Sequence, residues 1–391
     1  MAKYDLIIIN RSFWPIYPVI GESLLQLAEG LSLEKKVGVI FQDHSKFRKK
    51  LKSADRANKV NFFPIWAGSN SSSNILVRIL DSIFFMFSVI ICLIITRPKN
   101  IYISTDPPVL VPFVVSYYSK IFKSKFIYHI QDIHPEASNV VLRMNSILFK
   151  LIKKIDSYTM RKANTLITLT KEMKSQILNR SNTTSKIMVI DNPSIPFKRN
   201  LNDKKKIKGF SFTGNLGRLQ RIPFLIDAIK NYLEKGGNLK FSFAGGGIFS
   251  KNLEDLSKLY KQIEYRGIIS AKESAELSSN YEWALLPIDD EITKYAFPSK
   301  SSSYVFSGAK ILAICDENTN VSKWVRDHKL GITVKPNISI LVEKFFKIEN
   351  NEIDISFIDV DRVNLKKVLS IDVFIQKLSL AIYPNLVSKN E

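Results

Sequence analysis

Residues 210–223 read FSFTGNLGRLQRIP. An apolar, aromatic run stops at Gly214 and Gly217, and a helical pattern begins after Arg218 and Arg221. The stretch spells a strand, a tight turn and a helix start. Glycines in such a turn let the backbone come close to a ligand. The two guanidinium groups can clamp phosphate oxygens in pairs, and the amides at a helix entrance favour an anion.

The same alternation runs outward in both directions. Downstream, strands are expected at 239–244, 263–266, 283–287 and 310–315, and helices at 222–234, 251–260, 270–278, 299–307 and 321–328. Upstream, short apolar runs at 3–10, 37–41, 100–104, 126–130 and 165–170 alternate with helical spacing at 22–31, 75–95, 109–120 and 146–163. Near-continuously apolar strands separated by helices predict parallel sheets covered on both faces. The polar, basic connector 196–208 lacks apolar periodicity and marks a boundary. The expected architecture is α/β: two Rossmann-like doubly wound domains, residues 1–200 and 201–370, facing a central cleft where ligands bind at the strand ends. The amphipathic segment 371–383 predicts a last helix that, with the tail to 391, packs back on the N-terminal domain.

Composition narrows the function. The chain has 391 residues, 45% hydrophobic and 24% charged, which suits folded domains and excludes a disordered chain. Cys92 and Cys315 lie far apart in apolar runs and read as free thiols, not a disulfide or zinc motif. The net charge of +21 is lopsided. Residues 1–200 hold 29 Lys and Arg against 13 Asp and Glu, whereas the remainder holds 28 against 23. One basic half implies one face turned to a polyanion. No array of basic residues interleaved with aromatics points to nucleic acid. The first ten residues show no signal-peptide pattern. Residues 83–95, IFFMFSVIICLII, form an uncharged run of 13, short of the roughly 20 a spanning helix needs. They predict a buried or membrane-skimming helix.

Three further motifs carry candidate chemistry. AGGGI at 244–248 is a glycine turn after a strand, but neither a Walker A loop nor a dinucleotide fingerprint. YAFPSKSSSYVFSG at 295–308 starts a helix after Pro298. Amides of residues 299–301 are expected to face outward as an anion site with Lys300, and Ser302 and Ser303 to reach ribose hydroxyls. FIYHIQDIHPEAS at 126–138 gathers His129, Asp132, His134 and Glu136 at a strand end. A single positioned acid or base fits this better than four metal ligands. Asp132 is the expected catalytic or sugar-binding group, and His134 its orienting neighbour.

The order FIYHIQDIHPE, FSFTGNLGRLQR, FAGGG, IEYRG, WALLPID and FPSKSSSYVFSGAKIL resembles the retaining GT-B glycosyltransferases of family 4. Within that family it is similar to the bacterial O-antigen N-acetylfucosaminyltransferase-like branch, and the likeness extends to about residue 340. The resemblance implies a metal-free enzyme without a cofactor. A nucleoside-diphosphate sugar, expected to be a UDP-sugar, would sit in the C-terminal domain and the acceptor in the N-terminal one. Asp132 and His134 would then serve catalysis, and Arg218, Arg221, Ser299 and Lys300 the diphosphate. Gly214, Asn215, Gly217, Gly245, Gly246, Arg266, Ser302 and Ser303 would contact nucleotide or sugar. Tyr295 and Ser303 stand where many members have two glutamates, Gln131 where they have arginine, and Gln220 where they have lysine.

Without a metal, cations and helix amides must stabilise the departing diphosphate, commonly the largest catalytic contribution. The transferred sugar passes through an oxocarbenium-like state. Lys120, Lys123 and Lys125, with Lys150, Lys153, Lys154, Arg161 and Lys162, can rest on anionic headgroups. The expected acceptor is a polyprenyl-diphosphate-linked or other saccharide in cell-surface polysaccharide synthesis. The expected location is the inner face of the cytoplasmic membrane. A UDP-sugar 2-epimerase would use the same architecture, yet needs no basic membrane-facing half.

Overall fold

The structure is a computed structural model that describes residues 3–15, 19–43, 47–69, 74–194, 205–358 and 361–385. It divides into two compact units, Ser194–Ser370 and a discontinuous one made of Met1–Pro193 with Ile371–Glu391. The break falls after Pro193; the expected connector lies outside the described residues from 196 to 204, as do residues 70–73 of the polar stretch SNSSS at 69–73.

The first unit is a seven-stranded parallel sheet in the order β3-β2-β1-β4-β5-β6-β7. Its strands are β1 Tyr4–Ile9, β2 Val37–Asp43, β3 Asn61–Trp66, β4 Pro98–Ser104, β5 Lys125–Ile130, β6 Thr165–Thr168 and β7 Lys186–Val189. Leu6 through Ile9 are wholly buried, as expected of a central strand covered by helices on both faces. β3 has no counterpart in the sequence reading. Pro64 interrupts its pattern, and a residue lacking an amide donor is tolerated because β3 is an edge strand paired only with β2. The C-terminal helix Ile371–Ile382 places Phe374, Leu378 and Ile382 in this unit's core beside Leu24, Phe41 and Phe47.

The apolar run 83–95 belongs to a longer helix, Ile75–Thr96, of 22 residues. Asn74 starts it by accepting a hydrogen bond from the Leu76 amide at 3.1 Å, and Arg97 ends it in the left-handed conformation. By length and composition this helix could cross a membrane. However, Asp81, Phe85, Val89 and Leu93 form an i, i+4 stripe that is buried against the unit, so the helix lies along the domain.

The second unit is a six-stranded parallel sheet, β10-β9-β8-β11-β12-β13. Its strands are β8 Ile207–Thr213, β9 Lys240–Ala244, β10 Ile263–Tyr265, β11 Tyr281–Pro287, β12 Lys310–Ile314 and β13 Gly331–Val334. Phe210 stacks on Phe241 with ring centroids 5.4 Å apart, and Phe345 of the helix Ile338–Glu349 closes over both. Such a fully buried aromatic contributes roughly 1.5–3 kcal/mol. Strand order reverses between β1 and β4 in one unit, and between β8 and β11 in the other. Open parallel sheets bind ligands at the strand carboxyl ends of such points.

Candidate active site

At the β8/β11 reversal the turn after β8 is fastened to the turn after β9. The Gly214 amide donates to Ala244 O and the Leu216 amide to Gly246 O, both at 2.9 Å. Gly245 has φ +134°, and a Cβ there would lie 1.8 Å from Gly214 O. Its glycine is demanded by backbone meeting backbone, not by a ligand. Gly246 is held in the same junction.

Gly214 also sits at a positive φ, +133°, that favours glycine. Its open side faces Lys300, whose Nζ would lie 3.0 Å from a Cβ at that position. Lys300 begins the helix Lys300–Ser307, and its ammonium sits 3.8 Å from the centroid of the Phe212 ring. The ammonium is buried and has no hydrogen-bond partner. Burial lowers its pKa to about 7. An ammonium stripped of water without a partner is costly.

Next to it, Asn215, Gly217 and Gln220 cluster: a Cβ at Gly217 would lie 3.0 Å from both Asn215 Nδ2 and Gln220 Oε1. Gln220 Oε1 is buried without a donor. A buried acceptor left without a donor is costly. The sequence marked Gln220 only as standing where the resembling family has lysine; that its Oε1 is buried without a donor comes from the fold.

The arginines divide. Arg218 is exposed and forms no ion pair among the described residues. Arg221 adopts φ +47°, donates through Nε to Ile288 O at 2.9 Å and pairs with Asp290 at 2.8 Å. Its guanidinium therefore ties the turn after β8 to the loop after β11. Arg266, beyond the edge strand β10, lies on Glu264 at 3.0 Å. Ser299 is exposed and makes no side-chain cap. The expectation that the amides of residues 299–301 all face outward does not hold. The Ser301 amide donates to Pro298 O at 3.1 Å, because the serine hydroxyl and amide both close the first turn. Ser302 is buried and Ser303 half-buried in that helix.

In the first unit the β1/β4 reversal carries a polar network. Asp106 accepts from Arg11 Nε at 3.0 Å and from the Ser12 amide at 2.8 Å, a pairing between segments 94 and 95 residues apart. The Thr105 hydroxyl accepts the amides of Gln131 and Asp132 at 3.2 and 3.3 Å and so fixes the chain leaving β5. Burial, reinforced by the nearby Asp106 charge, raises the Asp132 carboxyl to about 6. His134 Nδ1 lies 2.8 Å from Ser138 Oγ, and burial lowers its pKa to about 4, so it is neutral.

The other two members of that motif are structural. His129 is fully buried, 2.6 Å from Tyr102 OH, and held neutral at about 3 by burial. Glu136 pairs with Arg180 at 2.9 Å and Lys153 at 3.3 Å. Among the described residues no three His, Cys, Asp or Glu side chains are grouped to hold a metal ion.

No known family model matches the chain. It is 24% identical over 336 residues, 81% of its length and 83% of the relative's, to a Pseudomonas aeruginosa protein described as "Probable glycosyltransferase WbjE". Its fold is similar to sucrose-phosphate synthase from Thermosynechococcus elongatus, with a TM-score of 0.71 at 12% identity over 96% of this chain and 97% of that one. It is also similar to Anabaena HepE in complex with UDP-glucose, with a TM-score of 0.63 at 13% identity over 96% and 98%. With two parallel-sheet α/β domains of seven and six strands, the chain has the GT-B fold.

Proposed function

We propose that the chain is a glycosyltransferase that moves a sugar from a UDP-sugar to a saccharide, free or carried on polyprenyl diphosphate, at an anionic membrane surface. The observation that carries this is the buried, partnerless ammonium of Lys300, seated over Phe212 at the β8/β11 reversal. A nucleoside diphosphate supplies the missing negative charge, and its ribose or sugar hydroxyls supply donors for Gln220. The likeness to a protein described as a glycosyltransferase and to one binding UDP-glucose supports the donor class.

In this reading Lys300, with Arg218 at the surface, neutralises the diphosphate as the sugar–oxygen bond breaks. Asp132, with its carboxyl near 6, accepts a proton from or orients the acceptor hydroxyl. His134, neutral, positions the chain around Asp132. The order of motifs supports a retaining, metal-independent family 4 enzyme of the O-antigen N-acetylfucosaminyltransferase-like branch, acting in cell-surface polysaccharide synthesis. The basic first half supports a peripheral place on the inner face of the cytoplasmic membrane.

The test is UDP release from a panel of UDP-sugars by the full chain, with and without a polyprenyl-diphosphate-linked saccharide. Release that requires the acceptor, and disappears in Lys300→Ala, is expected. Acceptor-independent UDP release, or epimerised sugar, would instead favour the epimerase.

A further inference from the structure

The long helix Ile75–Thr96 carries apolar residues on its buried face and on its open one. One stripe packs on the domain; the opposite one is open. Leu80, Phe84, Phe87, Ile91 and Ile95 are between 49% and 66% exposed. The open stripe continues onto the neighbouring helix Leu110–Phe122, where Ile121 is 71% and Phe122 47% exposed. Contiguous open apolar surface on this scale marks an interaction site.

At the carboxyl end of both helices lies a cavity of about 530 Å³. It is lined by Arg97, Lys123 and Lys125 together with the rings of Tyr118, Phe122 and Tyr383. Arg97 and Lys123 are the left-handed C-cap residues of the two helices, so both stand where the chain turns sharply at the cavity rim. Lys99, also at the cavity, is neutralised by Asp5 at 2.9 Å. Arg97, Lys123 and Lys125 are exposed, and none forms an ion pair among the described residues.

From this juxtaposition of an open apolar helix face with a basic, aromatic-walled cavity at its end, we infer that the first unit docks on a bilayer through the face of Ile75–Thr96 and Leu110–Phe122 and takes the headgroup of an anionic phospholipid into the cavity. Charge decides between occupants. A second copy of this chain would bring three more cations and nothing to neutralise them, whereas anionic lipid neutralises them and accepts the apolar stripe at the acyl boundary. The helix lies in the plane because its other stripe, Phe85, Val89 and Leu93, is fixed in the domain. A helix of 22 residues is about 33 Å long, so the contact is extended. The inference deepens the membrane part of the proposed function and is independent of its donor chemistry.

The experiment is flotation of the full chain with vesicles of phosphatidylcholine alone or mixed with phosphatidylglycerol. Binding is expected only with phosphatidylglycerol. It should fall on the order of a hundredfold in R97Q/K123Q/K125Q, at roughly fivefold per charge near the surface. Phe84→Ser with Phe87→Ser should weaken it separately. Both variants should keep wild-type UDP release with a water-soluble acceptor, which also shows that they are folded. Equal flotation of the triple variant and wild type would overturn the inference. So would a stable dimer in vesicle-free solution that dissociates in the Phe84→Ser/Phe87→Ser variant. Loss of acceptor-dependent UDP release in the wild type, with vesicle binding intact, would strike the enzyme reading and leave the docking face standing.

Discussion

Replacing Lys300 by methionine should stabilise the empty protein and abolish tight donor binding. Methionine keeps the apolar stem over Phe212 and removes the charge. Holding the ammonium at about 7 instead of its ordinary 10.5 corresponds to at most ~5 kcal/mol. The Phe212 ring at 3.8 Å returns roughly 2 kcal/mol of cation–π attraction. The expected gain for Lys300→Met near neutral pH is therefore at most ~3 kcal/mol, read by urea unfolding. The sign of the pH dependence follows. Between about 7 and 10.5 the unfolded chain holds the lysine proton and the folded chain has released it, so wild-type stability rises with pH across that window. The methionine variant lacks this rise. Binding reverses the balance, since a diphosphate calls the proton back. Above about pH 7, UDP-sugar affinity should fall towards tenfold per pH unit, with uptake of about one proton. Calorimetry in buffers of different ionisation heat measures that uptake directly. In Lys300→Met, affinity should be on the order of a hundredfold weaker. Wild-type binding without proton uptake, or a methionine variant that binds as well as wild type, would refute the assignment of the buried ammonium to the donor.

Two other outcomes test the division of labour. Asp132→Asn should keep the fold and lower turnover by about 10²–10⁴. The wild-type rate should rise with pH through about 6 as the carboxyl ionises, and the asparagine variant should lose that limb in a pH–rate profile. Arg218→Ala should weaken UDP-sugar binding without changing the melting temperature, whereas Arg221→Ala should cost ~1–3 kcal/mol of stability, because it leaves Ile288 O without its donor and removes the cation paired with Asp290. Paired denaturation and binding measurements separate the two.

Much of the molecule was legible from the chain alone. Short, near-continuous apolar runs, helical spacing between them and glycine punctuation placed most strands and predicted the parallel sheets, because strands buried on both faces must be almost wholly apolar. Gly214 and Lys300 were each singled out by local motif. Asp132 was distinguished from its neighbours by its place at a strand end. What the chain could not reveal was which charges already have partners. Arg218 and Arg221 look alike in sequence; the fold sets one in solvent and spends the other on Asp290, 69 residues away. The glycines at 214 and 245 likewise look alike, yet one makes room for a side chain and the other for a carbonyl oxygen. The apolar run 83–95 displayed its hydrophobicity but not its orientation. Local sequence dictates element type and amphipathic phase, since those depend on neighbours a few residues away. Pairing, burial and desolvation depend on groups brought together across the chain, and only the tertiary structure decided them.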